Sequence, residues 1–195
     1  MLQFIAQNND RYSVAETVQM AIEGGCRWIQ LHLPGLTDED IKAMSGDIVD
    51  MCRESAAFLT IEDRPELAKE LGLHGVHLTS DSNRSAAKVR EELGPEAVIG
   101  VEVASAAAIM ALRNADIDYV TLPPEMPVGE IADIVSVVRD ADITTPIVAT
   151  GDITPEDALI YLAAGVSGIA TGKPIIDAKD PVKEVELTLQ NLSAN

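Results

Sequence analysis

Polar residues suited to a ligand or catalytic site recur at the ends of short β-rich runs. In Trp28-Ile29-Gln30-Leu31-His32-Leu33, alternation sets Ile29 and Leu31 on one face and Trp28, Gln30 and His32 on the other. Gly75-Val76-His77-Leu78-Thr79 repeats the pattern, with His77 and Thr79 opposite Val76 and Leu78. Glu102, Tyr119, Thr121 and Thr150 fall on the same side by the same rule. Amide, imidazole, hydroxyl and carboxylate groups gathered on one face are the inventory a small-molecule site needs. The competing reading is a polar core layer that satisfies its own hydrogen bonds, with His77 a packed strand histidine and Trp28 simply core.

The elements that must position these residues alternate from end to end. Strand-like runs are expected over 2–6, 27–33, 57–61, 75–79, 97–103, 119–122, 146–150 and 168–171. Helical segments follow each. Ser13 with Glu16 forms a capping box, and the helix it opens closes at Gly24-Gly25. Thr37 caps the next helix, with Glu39 and Asp40 favouring its dipole. Pro65 sits early in a helix, where a missing N–H costs little. Ser85 to Leu93 and a segment from Ser105 are helical, as is Val128 to Arg139. Thr154-Pro155-Glu156-Asp157 starts a helix that ends at Gly165, and a last helix runs from Pro181 to about residue 192. Strand–helix units in series, with short connections, imply parallel strands and right-handed crossovers. Eight such units are the closure number of a (β/α)8 TIM barrel. An open doubly wound sheet would carry a glycine-rich first turn, whereas here that turn reads Ala6-Gln7-Asn8-Asn9-Asp10-Arg11-Tyr12-Ser13. The expectation is one compact α/β barrel domain over 1–195, with its site at the C-terminal ends of the strands.

Composition limits the partners. Lys+Arg 14 against Asp+Glu 32 gives a net charge of −18, which argues against nucleic acid and anionic membrane. With 47% apolar and 24% charged residues the chain has ordinary globular proportions, and with 3% aromatics its core must be aliphatic. No apolar run reaches the roughly 18 residues of a membrane helix. The N-terminus has no basic region of the kind that opens a signal peptide, so a cytoplasmic location is expected. Cys26 and Cys52 match no metal spacing and read as reduced thiols. A small-molecule ligand is the expected partner, with a homodimer left open.

The chain resembles the thiamine phosphate synthases and their relative, the thiazole tautomerase. The resemblance runs through GGCRWIQL, IEDRPELAKELGLHGVHL, GPEAVIGV, IDYV, the TGDI turn, and GVSGIATGKPI followed by AKDP. It implies a barrel that joins hydroxymethylpyrimidine diphosphate to thiazole phosphate, with magnesium and cationic side chains helping the diphosphate leave. Asp63, in Glu62-Asp63, and Asp81, in Thr79-Ser80-Asp81-Ser82, are the implied magnesium ligands. Gln30, His32, Glu62, Glu102 and Thr121 would meet the substrate. The loops after the seventh and eighth strands would form a phosphate cup from Thr150, Gly151, Asp152, Thr171, Gly172 and Lys173.

Departures from the family pattern bear on activity. The family's Gln-Leu-Arg-x-Lys is here Gln30-Leu31-His32-Leu33-Pro34, so both cations are gone. Its Thr-x-Thr-Lys stretch is replaced by Pro123-Pro124-Glu125-Met126-Pro127. Glu102 stands where a hydroxyl met the diphosphate, and Ala104 where the tautomerase has its acid/base histidine. Asp152 adds a further negative charge to the cup. Two like charges 4 Å apart cost on the order of 4 kcal/mol at an effective dielectric near 20. The family reaction is therefore expected to be absent or very slow. The alternative is a non-catalytic diverged paralogue that binds a small phosphorylated or cationic ligand.

Overall fold

The computed structural model describes residues 1–193. Its strands are β1 (Leu2–Ala6), β2 (Trp28–Leu31), β3 (Phe58–Glu62), β4 (Gly75–Leu78), β5 (Val98–Glu102), β6 (Tyr119–Leu122), β7 (Ile147–Thr150) and β8 (Gly168–Thr171). All neighbours run parallel, and β1 pairs with both β2 and β8, so the sheet closes into an eight-stranded barrel. The helices are α1 (Val14–Glu23), α2 (Asp38–Glu54), α3 (Pro65–Leu71), α4 (Ala86–Leu93), α5 (Ala106–Ala111), α6 (Val128–Asp140), α7 (Pro155–Ala163), α8 (Lys173–Asp177) and α9 (Pro181–Ser193). Among the described residues, no helix is long and apolar enough to cross a membrane.

Local chemistry explains most of the boundaries. Ser13 accepts from the Glu16 N–H while the Glu16 carboxylate takes the Ser13 N–H, the reciprocal pair that starts α1. Thr37 and Asp40 build the same box at α2, and single side-chain caps from Ser85, Ser105 and Thr154 start α4, α5 and α7. Several boundaries differ from the sequence reading. β2, β4, β5 and β7 are shorter than expected, although the His32 and Val103 N–H groups still donate across to the Ala6 and Thr121 carbonyls. β3 starts at Phe58 and ends at Glu62, one residue later than its run suggests. A short helix, α8, follows β8 directly, with Pro174 in its first turn and Ile175 and Ile176 buried. No apolar period is legible in five residues.

Packing separates two apolar groups. Alternate strand residues such as Phe4, Ile29, Leu31, Leu59, Ile61, Val76 and Ile99 are buried in the main cluster with residues of the helices. Tyr119, Val148 and Ala170 form a second cluster with Ile5, Trp28 and Val98 inside the barrel. Trp28 meets Tyr119 edge-on, with ring centroids 4.7 Å apart, and His77 stacks on Tyr119 at 5.9 Å. These rings form a plug that divides the barrel into a cavity at the C-terminal ends of the strands and an apolar one at the opposite end, which Trp28 and Tyr119 line. Cys26 and Cys52 are free and buried.

Candidate functional site

Above that plug, at the C-terminal ends of the strands, lies a cavity of about 280 Å³. Gln30 lines it from β2 and His32 from just after it, Glu62 from β3, Glu102 from β5, Thr121 from β6, and Thr150, Gly151 and Asp152 from β7 and its loop. Thr171, Gly172 and Lys173 complete the wall after β8. The alternation of each strand thus brings together side chains that lie far apart along the chain. Asp63 and Asp81 are not in this wall.

A chain of hydrogen bonds crosses the floor. The Gln3 amide donates to Gln30 Oε1 (2.8 Å) and to the Tyr119 hydroxyl (2.9 Å). Gln30 Nε2 donates to Glu62 Oε1 (2.7 Å), and the other Glu62 oxygen lies 2.6 Å from His32 Nδ1. On the opposite side His77 Nε2 lies 2.8 Å from Thr121 Oγ1. The register explains these meetings: Leu31 is level with Ile61, and Glu62 with His77, so positions 32, 62 and 77 follow one another around the mouth. Gln3 Oε1, His77 Nδ1 and Thr150 Oγ1 are buried without a protein partner, and all three residues line the cavity. Orphaned buried polar atoms carry a desolvation cost unless water or a ligand meets them. The competing reading of a self-satisfied polar layer therefore fails at these three atoms.

The two histidines are pushed in opposite directions. The Glu62 hydrogen bond raises the His32 pKa above its ordinary value, against a smaller opposing effect of burial. Burial holds His77 below its ordinary value, opposed by the more distant charges of Glu62, Glu102 and Asp63. Because His32 is raised, its contribution to stability is fully present below the unfolded pKa and is lost as pH rises through the folded one. Glu62→Gln is expected to bring the His32 midpoint back toward about 6.5 and to abolish that alkaline loss. Proton NMR of the histidine ring in both proteins measures it; an unmoved midpoint would mean the pair does not form in solution.

The cup after β7 and β8 is partly self-occupied. The Gly151 N–H donates to the Ala170 carbonyl (3.1 Å), and the Thr171 hydroxyl donates to the Ile153 carbonyl (3.0 Å). Lys173 lines the cavity, but its ammonium pairs with Asp177, which also accepts from Asn9. Asp152 is exposed at the rim.

The implied magnesium ligands lie apart from the cavity wall, and one of them is engaged by protein donors. Asp63 accepts from the Thr79 N–H (3.0 Å) with one oxygen and from the Thr79 hydroxyl with the other. Asp81 is exposed, and no group of three or more His, Cys, Asp or Glu side chains that could hold a metal occurs among the described residues. Among the described residues there is no all-protein cage, and magnesium is commonly held by one or two carboxylates together with substrate phosphates.

Sequence reasoning passed over Gln3, Ile5 and Gln7 of β1 and its loop, and Pro124 after β6, all of which line the cavity. The alternation that singled out Gln30 would have found Gln3, since Leu2, Phe4 and Ala6 are the buried outward residues of β1. His77 is buried as a packed histidine would be, yet it also reaches the cavity wall.

Comparison with known proteins gives a consistent picture. Residues 2–175 match the family described as thiamine monophosphate synthase. Thiamine-phosphate synthase of Bacteroides fragilis is 32% identical over 96% of this chain and 98% of its own length. That of Bacteroides thetaiotaomicron is 34% identical over 96% and 95%. Among solved structures, thiamine phosphate pyrophosphorylase from Pyrococcus furiosus superposes with a TM-score of 0.86 at 23% identity, covering 98% of this chain and 94% of that one. With its sequence matched nearly end to end and its strands closed into the same barrel, the chain belongs to the thiamine monophosphate synthase family.

Proposed function

We propose that this family member binds a small nitrogen heterocycle bearing at most one phosphate, and that it runs the family's diphosphate-releasing coupling very slowly or not at all. The observation carrying this reading is the charge on the cavity wall. Glu62, Glu102 and Asp152 line it, and its cations are His32, tied to Glu62, and Lys173, tied to Asp177. Such a wall favours a neutral or cationic ring and opposes a diphosphate, whose recognition calls for arginine or lysine donors. The orphaned Gln3, His77 and Thr150 atoms supply the donor and acceptor positions that would orient a heterocycle.

Titration calorimetry with thiazole phosphate tests the reading. Wild type is expected to bind it, and Asp152→Gly to bind it about tenfold more tightly, since one carboxylate near a phosphate repels it even after screening. Equal affinities would place the Asp152 charge away from the phosphate. No binding by either protein would overturn the proposed ligand class.

A further inference from the structure

We propose that the apolar cavity at the N-terminal end of the barrel is a second binding site, for a small amphiphile made of an apolar chain or ring and one carboxylate. Trp28 and Tyr119 line this cavity and not the one above it. Its volume of about 460 Å³ lies within the roughly 300–1,000 Å³ of small-molecule pockets. Trp28, Phe58, Val98, Tyr119 and Pro146 form the apolar wall. Trp28 is level with Phe58, and both face inward, since Ile29 and Leu59 pack outward in the main cluster. A barrel of this kind is ordinarily filled by its layers of side chains. Here the lowest layer stays open: Phe58 and Met1, both in the wall, keep 51% and 54% of their surface exposed. Clustered exposed apolar side chains mark sites of interaction, whereas single ones do not.

Charge at the rim selects the ligand. Arg27 is the one cationic side chain in the wall. Its Nη1 donates to the Ile22 carbonyl (2.9 Å) and the Cys26 carbonyl (2.8 Å), which orients the guanidinium. Its other N–H groups have no protein partner among the described residues, and it enters no ion pair there. Asp118, the one carboxylate in the wall, is already matched, by Arg90 Nη2 at 2.9 Å and the Ile99 N–H at 2.8 Å. The cavity therefore offers an apolar interior with one uncompensated cation at its edge. A guanidinium meets a carboxylate in paired, planar geometry, whereas a ligand cation would find no free acid. One cation also suits a monoanion better than the dianion of a phosphate monoester. The net charge of −18 opposes any anion, but at 0.15 M salt its reach is only about 8 Å. Within that distance Arg27 decides.

Octanoate is the probe, followed by calorimetry and by the emission of Trp28, the single tryptophan of the chain. Saturable binding of one octanoate per chain is expected, with a shift in that emission. Affinity should rise about fourfold per methylene from hexanoate to octanoate, as each CH₂ passes from water into the apolar wall. 1-Octanol, equally long but uncharged, should bind about fivefold more weakly, the upper worth of an exposed ion pair. Octyltrimethylammonium should bind more weakly still. Arg27→Gln should weaken octanoate about fivefold and leave octanol unchanged, whereas Phe58→Ala should weaken both at least threefold. Both side chains are exposed, so the two variants are expected to keep the wild-type urea midpoint. Absent or non-saturable octanoate binding, an unmoved Trp28 emission, or unchanged affinity in Phe58→Ala overturns the site. Octanol or the ammonium binding as tightly as octanoate, or octanoate affinity unchanged in Arg27→Gln, overturns the carboxylate assignment. None of these outcomes depends on what the upper cavity binds.

Discussion

Thiamine phosphate formation from hydroxymethylpyrimidine diphosphate and thiazole phosphate is expected to fall below about 10⁻³ s⁻¹, some four orders of magnitude under the usual enzyme median. The departing diphosphate develops negative charge, and pre-positioned donors that meet such charge contribute about 10²–10³-fold each. On the resemblance drawn from the sequence, the positions of those donors correspond to His32, Pro34 and the Pro123 to Pro127 loop, none of which carries an arginine or lysine. Of these, His32 hydrogen-bonds to Glu62, and Pro124 reaches the cavity with no charge to offer. Two missing donors at the lower figure already account for the expected loss. Glu102 on the wall adds repulsion, at a position where the resemblance implies a hydroxyl. The measurement is a steady-state assay with saturating substrates and magnesium. A turnover near 10 s⁻¹ would show that the diphosphate is neutralised by groups other than those lining this cavity.

Gly100→Ala is expected to destabilise the barrel by about 3 kcal/mol or more, the range of severe overpacking. Gly100 is level with Tyr119 on β6, and a Cβ built there would lie 2.1 Å from the ring carbon Cζ and 2.4 Å from the hydroxyl. The ring cannot retreat, because Trp28 meets its edge, His77 stacks on its face, and its hydroxyl accepts from Gln3. A comparison variant is available in the same fold. At Gly129, in α6, a Cβ would meet nothing within 4 Å, so Gly129→Ala is expected to stabilise by about 0.5–1 kcal/mol through helix propensity. Urea denaturation midpoints at fixed slope compare the two. A wild-type midpoint for Gly100→Ala would mean that the aromatic plug is loosely packed. Because that plug forms the floor of the cavity, the variant is also expected to lose ligand binding.

Much of the site was legible because a strand has a period of two. Alternation alone set Gln30, His32, Glu102, Thr121 and Thr150 on one face, and the strand count closed that face into a ring. The cavity wall contains all five. Capping chemistry was equally local: Ser13 with Glu16, and Thr37 with Asp40, are decided within four residues. α8 was not legible, since five residues carry no period and its Ile175 and Ile176 are buried only by the barrel beside them. Of the implied magnesium pair, neither aspartate lines the cavity, and Asp63 accepts from Thr79 with both oxygens, a contact sixteen residues away in sequence.

The sequence by itself determined the elements, their order and the residue types facing inward, because capping, turn chemistry and strand alternation act over a few bonds. It also determined the excess of acid, since charge is a count. What those acids do was left to the tertiary structure. Whether Glu62 repels a ligand or instead fixes His32 depends on two strands meeting in one register, some thirty residues apart in sequence. Whether Lys173 faces a phosphate or pairs with Asp177 depends on a one-turn helix that packing creates. The same separation holds for His77, whose neighbours Thr121 and Tyr119 arrive from a strand more than forty residues away. Lateral contacts in a closed barrel follow from register and shear, which no local pattern encodes, so the protonation and pairing of each inward group is a property of the closed barrel.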